Sequence, residues 1–433
     1  MALPPEGRSG LILAFFALMC GACGEASTSQ GSQMPNAGSS SGAGAPASAG
    51  SDTGPEGGGE PSIDGSAGMR AAGGAVSVGQ AGAASLPAGG AAAVASVPLV
   101  YVGSTNGQIS IFKIDVALGT LTLVKSVSAG NYPSFIAFAP TFSHLYAVNE
   151  SDGKVAAFRV DARTGDLTFL NRVDSGGGAP AHVSVDNSGK FVMVANYNGG
   201  TTRIFPIAAD GSLGAPSDNQ APGMNSHMIV TDPANAFAFV MNKGSDTVSQ
   251  YAFDARSGTL TPNAVPAVKT ATGAGPRHLA FHPSHKYAYL INELDDTLSA
   301  YAYDAALGQL NWIETKSTLP SGTDGSANTC AEVVVAPSGK FVYGSNRGHD
   351  SIARFSINEA TGKLTFIDTT PSGGMVPRSF TLSTDGKLML VANESGNVTS
   401  FSVNTKTGAL TKLISLGVPQ KPQFVGIAYL LAK

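Results

Sequence analysis

Ten polar side chains of this 433-residue chain stand at the ends of repeated apolar runs, where they could support chemistry. In the segments PAHV, NSHM, PRHL, CAEV and PRSF, polar residues stand where the chain leads into an apolar run: His182, His227, Arg277 with His278, Glu332 and Arg378. Asn196, Lys243, Glu293 and Arg347 stand just past the ends of other apolar runs. Guanidinium forks bind carboxylate or phosphate in bidentate fashion and can stabilise an oxyanion. A carboxylate or imidazole beside them can move a proton. Anion binding joined to acid–base work is the chemistry open to this set.

The elements that must position these groups are repeats. From residue 100 onward a short apolar strand ending in a polar turn returns seven times, as VYVGSTN, LYAVNES, VMVANYN, AFVMNKG, AYLINEL, VYGSNRG and MLVANES. Six copies carry Asn at one place (Asn149, Asn196, Asn242, Asn292, Asn346 and Asn393), and Thr105 is read as holding that slot in the first. The spacing from Thr105 onward is 44, 47, 46, 50, 54 and 47 residues. A period in the forties, all strand and no helix, predicts a seven-bladed β-propeller of four-stranded antiparallel blades. Within 276–313 the strands read PRHLAFHP, KYAYLIN, TLSAYAYD and LGQLNWIET, with the period-2 alternation of half-buried strands. The turns VALGTL, ARTGDL, ARSGTL, AALGQL, EATGKL and KTGAL place a glycine where a left-handed residue is expected before the outer strand. The chain starts its repeats on a second strand and ends on a lone first strand, 422–430. That final strand is expected to complete the first blade and close the ring. First strands line the axis of such a ring, so the polar intrusions converge on one face.

Two segments precede the propeller domain, 98–433. Residues 1–23 hold one Arg, the apolar run LILAFFALM and then CGAC, the pattern of a bacterial export signal too short for a stable membrane span. Cys23 is the expected lipid acceptor, with Cys20 the alternative. Residues 24–97 are Gly, Ala, Ser and Pro with almost no large apolar side chain, the composition of a disordered tether. Only 13% of residues are charged and the net charge is −4, with no basic stripe, which argues against a nucleic-acid partner. The remaining cysteine, Cys330, leaves no intramolecular disulfide after processing. No Cys/His spacing or carboxylate cluster suggests a metal cage, and no cofactor is expected.

The run GPRHLAFHPSHKYAYLINELDDTLSAYAYD resembles the lactonase family of seven-bladed propellers, which includes bacterial 6-phosphogluconolactonases and the fungal carboxy-cis,cis-muconate cyclase. PAHVSVDNSGKFVMVANYNGG, AEVVVAPSGKFVYGSNRGHDSI and PRSFTLSTDGKLMLVAN are similar to neighbouring blades, so the likeness spans 98–430. It implies catalytic roles for His227, Arg277, Glu293 and Arg347, with either Glu293 or His227 as the acid–base group. His182, Asn196, Glu332 and Arg378 are expected to contact substrate. The simpler readings are that Arg277 and Glu293 form only an ion pair and that His182 is a hydrogen-bonded core residue. His278, out of phase with Arg277, would face a neighbouring sheet. His282 and His285 would be solvated turn residues, His349 and Asp350 turn hydrogen bonders, and the repeated Asn structural. The chain departs from the family where it has Asn225-Ser226-His227 for His-x-His and Asn242-Lys243-Gly244 for a DLG-like turn.

The resemblance implies a metal-independent hydrolase opening an anionic, sugar-derived lactone. A closed ring is expected to act as a monomer, and the pattern of residues 1–23 implies that it touches membrane only through lipid on Cys23. The alternative is an exported, non-catalytic propeller that binds a ligand or an envelope protein. A muconate-type cyclisation rests on the same four side chains.

Overall fold

The computed structural model describes residues 96–418 and 420–431. The export signal, Cys20, Cys23 and almost all of the 24–97 segment lie outside the described residues. Seven four-stranded antiparallel sheets follow one another around a ring. The fifth is representative, with strands Pro276–Phe281, Tyr287–Asn292, Thr297–Asp304 and Gln309–Ser317 running from the axis outward. The innermost strands of successive blades pack against one another all the way round. Ring closure is mixed in origin: Pro422–Leu431 pairs antiparallel with Ser96–Ser104, Leu99 facing Ala428 and Tyr101 facing Gly426.

Second strands are buried on both faces because each is sandwiched between neighbouring blades; Phe191–Asn196, Tyr287–Asn292 and Leu388–Asn393 expose almost nothing. Their tyrosines bolt blade to blade. The hydroxyls of Tyr101, Tyr146, Tyr289 and Tyr343 donate to the carbonyls of Gly165, Gly211, Gly362 and Gly408 in the next blade, at 2.7, 3.0, 3.1 and 2.8 Å. These glycines sit in the turns before the outer strands, with φ between 72° and 91°. At Gly165 a Cβ would also stand 2.2 Å from Leu99 Cδ1, so the contact needs glycine twice over.

The repeated Asn is structural, and in five of its six copies it has the same task, whereas the Asn292 amide donates to Thr297 and Ser299 within its own blade. The amides of Asn149, Asn196, Asn242, Asn346 and Asn393 donate to the carbonyls of Ala129, Ser175, Pro222, Thr318 and Ser372, where the chain arrives from the preceding blade. In the first blade the slot belongs to Ser104 and not to Thr105. Ser104 faces Pro422 as Asn292 faces Pro276 and Asn393 faces Pro377. Tyr101 and Tyr146 hold equivalent places three residues before Ser104 and Asn149.

The closing strand buries Phe424, Val425, Ile427, Ala428 and Leu430. At about 1.5–3 kcal/mol for each large apolar side chain, its burial is comparable with the roughly 5–15 kcal/mol that holds a typical domain folded. Deleting 422–433 should therefore abolish cooperative melting and expose the Ser96–Ser104 edge to aggregation. Circular dichroism and size-exclusion chromatography check this; an intact melt would contradict ring closure.

Candidate active site

A β-bulge sets the site. In the fifth blade Pro276 faces Asn292 and His278 faces Ile291, so Arg277 is the extra residue with no partner of its own. The same slip leaves Ala181, His227 and Arg378 unpaired in the third, fourth and seventh blades, and Gln423 in the first. A bulge re-aims side chains that strict alternation would send to opposite faces. That is why Arg277 and His278 both point toward the axis, contrary to the expectation that His278 faces a neighbouring sheet. Several of these strands are preceded by a residue at positive φ: Tyr132 61°, Ala179 46°, Asn225 52°, Gly275 66° and Val376 57°. Asn tolerates that conformation well, whereas β-branched Val376 is strained in it.

The bulged residues and the turns after the second strands form an upper layer. Glu293 is its hub. Lys243 Nζ donates to Glu293 Oε1 at 2.6 Å and Arg347 Nη2 lies 3.1 Å from the same oxygen. Arg277 Nε lies 3.1 Å from Oε2, but its N–H is not aligned for a hydrogen bond and is otherwise unpartnered. Arg347 Nε–H is also buried and unpartnered. One terminal nitrogen of each guanidinium is engaged with the sixth blade: Arg277 Nη1 donates to Ala331 O at 2.5 Å and Arg347 Nη2 to Cys330 O at 2.7 Å. Burial opposes ionisation of Glu293, yet Arg277, Arg347 and Lys243 together outweigh it and hold the carboxyl at about 2. Burial first, and then the Arg347 charge, bring Arg277 down to about 9.

Below lies a layer of rings and one acid. His182 stacks 4.3 Å from Phe135, and the His278 ring stands 5.7 Å from both. His227, in the upper layer, has its ring 5.1 Å from His278 and 5.9 Å from Tyr197. Glu332 Oε1 is 2.8 Å from His278 Nδ1 and accepts the Val333 N–H at 3.2 Å. Burial drives the pKa of Glu332 up to about 8, against the lowering effect of Arg277. Burial, reinforced by Arg277, keeps His182, His227 and His278 neutral well below the ordinary imidazole value. Both ring nitrogens of His182 and Nδ1 of His227 lack hydrogen-bond partners.

The remaining residues singled out in the sequence separate cleanly. Arg378 lies between two carboxylates, 3.7 Å from Glu150 Oε2 and 3.7 Å from Glu394 Oε1. Glu150 also lines a groove of about 560 Å³ with Tyr132, Asp152, Gly178 and Asn198. Asn196 is not brought to this mouth: its side chain is fully buried and holds Ser175 and Thr201. His282 is not solvated but buried against the sixth blade, with Nε2 2.8 Å from Gly339 O, because the turn folds it inward. His349 meets Ser351 at 2.7 Å, and Asp350 accepts the Gly348 and Val376 N–H groups. Sequence comparison of the repeats does not single out Tyr132, Glu150, Tyr197 and Glu394; the available signal was position, just after a second strand for Glu150, Tyr197 and Glu394 and on the segment entering a first strand for Tyr132. Among the described residues no group of three or more His, Cys, Asp or Glu could hold a metal ion.

An axial mouth that gathers arginines, a lysine and a carboxylate they hold ionised near neutral pH, over neutral imidazoles, has the chemistry to meet an anion. The family model "Lactonase, 7-bladed beta-propeller" matches residues 99–425, and the chain belongs to that family. It is 35% identical over 251 residues to the 6-phosphogluconolactonase of Bacillus subtilis, covering 55% of this chain and 70% of that protein. It is 32% identical over 332 residues to the 6-phosphogluconolactonase of Pectobacterium atrosepticum, covering 76% and 98%. Among solved structures, the periplasmic gluconolactonase of Pseudomonas aeruginosa superposes with a TM-score of 0.71 at 26% identity, covering 78% of this chain and all of that one.

The buried acid gives a pH signature. A carboxyl raised from 4.5 to about 8 stays protonated in the folded chain while the unfolded chain ionises it. Its contribution is therefore fully present below about pH 4.5 and is lost as pH rises toward 8. Glu332→Gln, which imitates the protonated acid, should gain stability relative to the wild type between pH 5 and pH 8 in thermal melts. A constant difference across that range would show that Glu332 is ionised in the fold.

Proposed function

We propose that this lactone hydrolase opens an anionic, sugar-derived lactone at the Glu293 mouth. The observation that carries the reading is the excess of positive charge there: three cations share one carboxylate, and two buried arginine N–H groups, on Arg277 Nε and Arg347 Nε, make no hydrogen bond. Such donors, preorganised where water is scarce, suit an anion on the substrate and the oxyanion that forms as the carbonyl is attacked. Names borne by the relatives support the substrate class.

Glu293 is poorly suited to be the base, because a carboxyl held at about 2 has little affinity for a proton. His227 is neutral and has an unpartnered ring nitrogen. It accepts a proton from water as the water oxygen bonds to the lactone carbonyl carbon. The ring C–O bond then breaks and the departing oxygen takes a proton from the imidazolium, giving the open hydroxy acid. The carboxylates of Glu150 and Asp152 along the adjacent groove suit the hydroxyl groups of a sugar-derived ring. The export pattern of residues 1–23 and the likeness to a periplasmic gluconolactonase support an exported chain tethered through lipid on Cys23, with 24–97 as the spacer. Among the described residues no helix is long and apolar enough to cross a membrane.

Hydrolysis of phosphorylated, carboxylated and neutral lactones by the full chain, followed with a pH indicator, tests the reading. Arg277→Ala and Arg347→Ala should each lower kcat/KM by about 10²–10³-fold, the effect of losing an oxyanion donor. With His227 lowered below its ordinary value, wild-type kcat/KM should stay flat from pH 8 down through 6.5 and fall only at lower pH. His227→Asn should lose the turnover. No turnover of any lactone, or full activity in all three variants, would overturn the assignment.

A further inference from the structure

The cations at the mouth are not equally free. Arg277 sends Nη1 to the Ala331 carbonyl and Arg347 sends Nη2 to the Cys330 carbonyl, so both guanidinium groups are pinned to the innermost strand of the sixth blade. Lys243 comes from the turn after the second strand of the fourth blade and reaches across to the fifth. Its ammonium carries three N–H donors, and its one hydrogen bond goes to Glu293 Oε1. The same ammonium stands 5.4 Å over the Tyr197 ring, whose edge in turn meets His227 at 5.9 Å. Lys243 thus leans on an anion and an aromatic face, keeps donors in reserve, and lies over the ring that flanks His227.

We propose that Lys243 is the specificity-determining residue of the site, the cation that takes the anionic substituent of the substrate while Arg277 and Arg347 attend the reacting carbonyl. The inference rests on the lactone-hydrolase reading and adds a division of labour among the cations. A lysine is a compact charge on a flexible stem and can follow a substituent whose position varies, whereas the two pinned forks cannot. Glu293 and Tyr197 hold the ammonium at the mouth until an anion arrives. Moving from Glu293 toward substrate leaves the carboxylate with Arg277 and Arg347, so no buried charge is stranded.

The test uses equilibrium binding, so that it stands apart from turnover. Titration calorimetry with 6-phosphogluconate and with gluconate, on the full chain and on Lys243→Met, gives the preference for the phosphorylated compound. Losing one charge-assisted contact should reduce that preference by about tenfold or more, and Lys243→Arg should restore most of it. On 6-phosphogluconolactone the Lys243→Met change should raise KM more than it lowers kcat. An unchanged preference in Lys243→Met, or a loss that Lys243→Arg leaves unrepaired, would overturn the role of Lys243 even where wild-type turnover is robust. Absent turnover with the binding preference intact would instead sink the hydrolase reading and leave Lys243 as an anion-selecting residue.

Discussion

One carboxylate shared by three cations governs the functional face of this molecule. Glu293 collects Lys243 from the fourth blade, Arg277 from its own and Arg347 from the sixth, and so ties three adjacent blades together at the axis. Buried like charges would repel one another without it, and removing one member of such a group typically costs about 3–5 kcal/mol. Because the group holds more positive than negative charge, it is complete as architecture and incomplete as electrostatics. That surplus, together with the idle Nε–H groups of Arg277 and Arg347, is what makes the face fit an anion.

The backbone makes this convergence possible. Strict strand alternation would send Arg277 and His278 to opposite faces, but the unpaired Arg277 in the fifth blade's innermost strand turns both inward. The bulge stacks two layers along the axis, charged residues above and His182, His278, Phe135, Phe424 and Glu332 below. The lower layer is neutral: burial keeps the imidazoles unprotonated and Glu332 protonated around neutral pH. A dry, uncharged floor raises the worth of every charge above it. Blade-to-blade bolts from tyrosine hydroxyls and asparagine amides keep the floor rigid.

The ring itself was legible in the sequence because propeller repeats restate the same strand and turn chemistry every 44 to 54 residues, down to the closing strand at 422–430. Arg277, Glu293 and Arg347 were legible for the complementary reason: they depart from what the other copies carry at the same place. What escaped was register. A bulge leaves no mark in composition, so His278 was assigned to the wrong side; Ser104 was passed over for Thr105 because the first copy carries no Asn to mark the slot. Asn196 was drawn into the site by its position beside a variable turn, although its amide is spent on the Ser175 carbonyl. Lys243 stood out only as a departure from the family; its reach across a blade boundary to Glu293 follows from the curvature of the ring.

The central claim is that Glu293 remains an anion that organises cations and does not act as a base. Carbon-detected NMR of the full chain labelled at the glutamate side-chain carboxyl carbon tests it most directly, with Glu293→Gln identifying the resonance. The structure predicts a signal that stays ionised throughout pH 8 to 4, in keeping with a carboxyl held at about 2. A midpoint between pH 5 and 7 would contradict the account and return Glu293 to the role of general base.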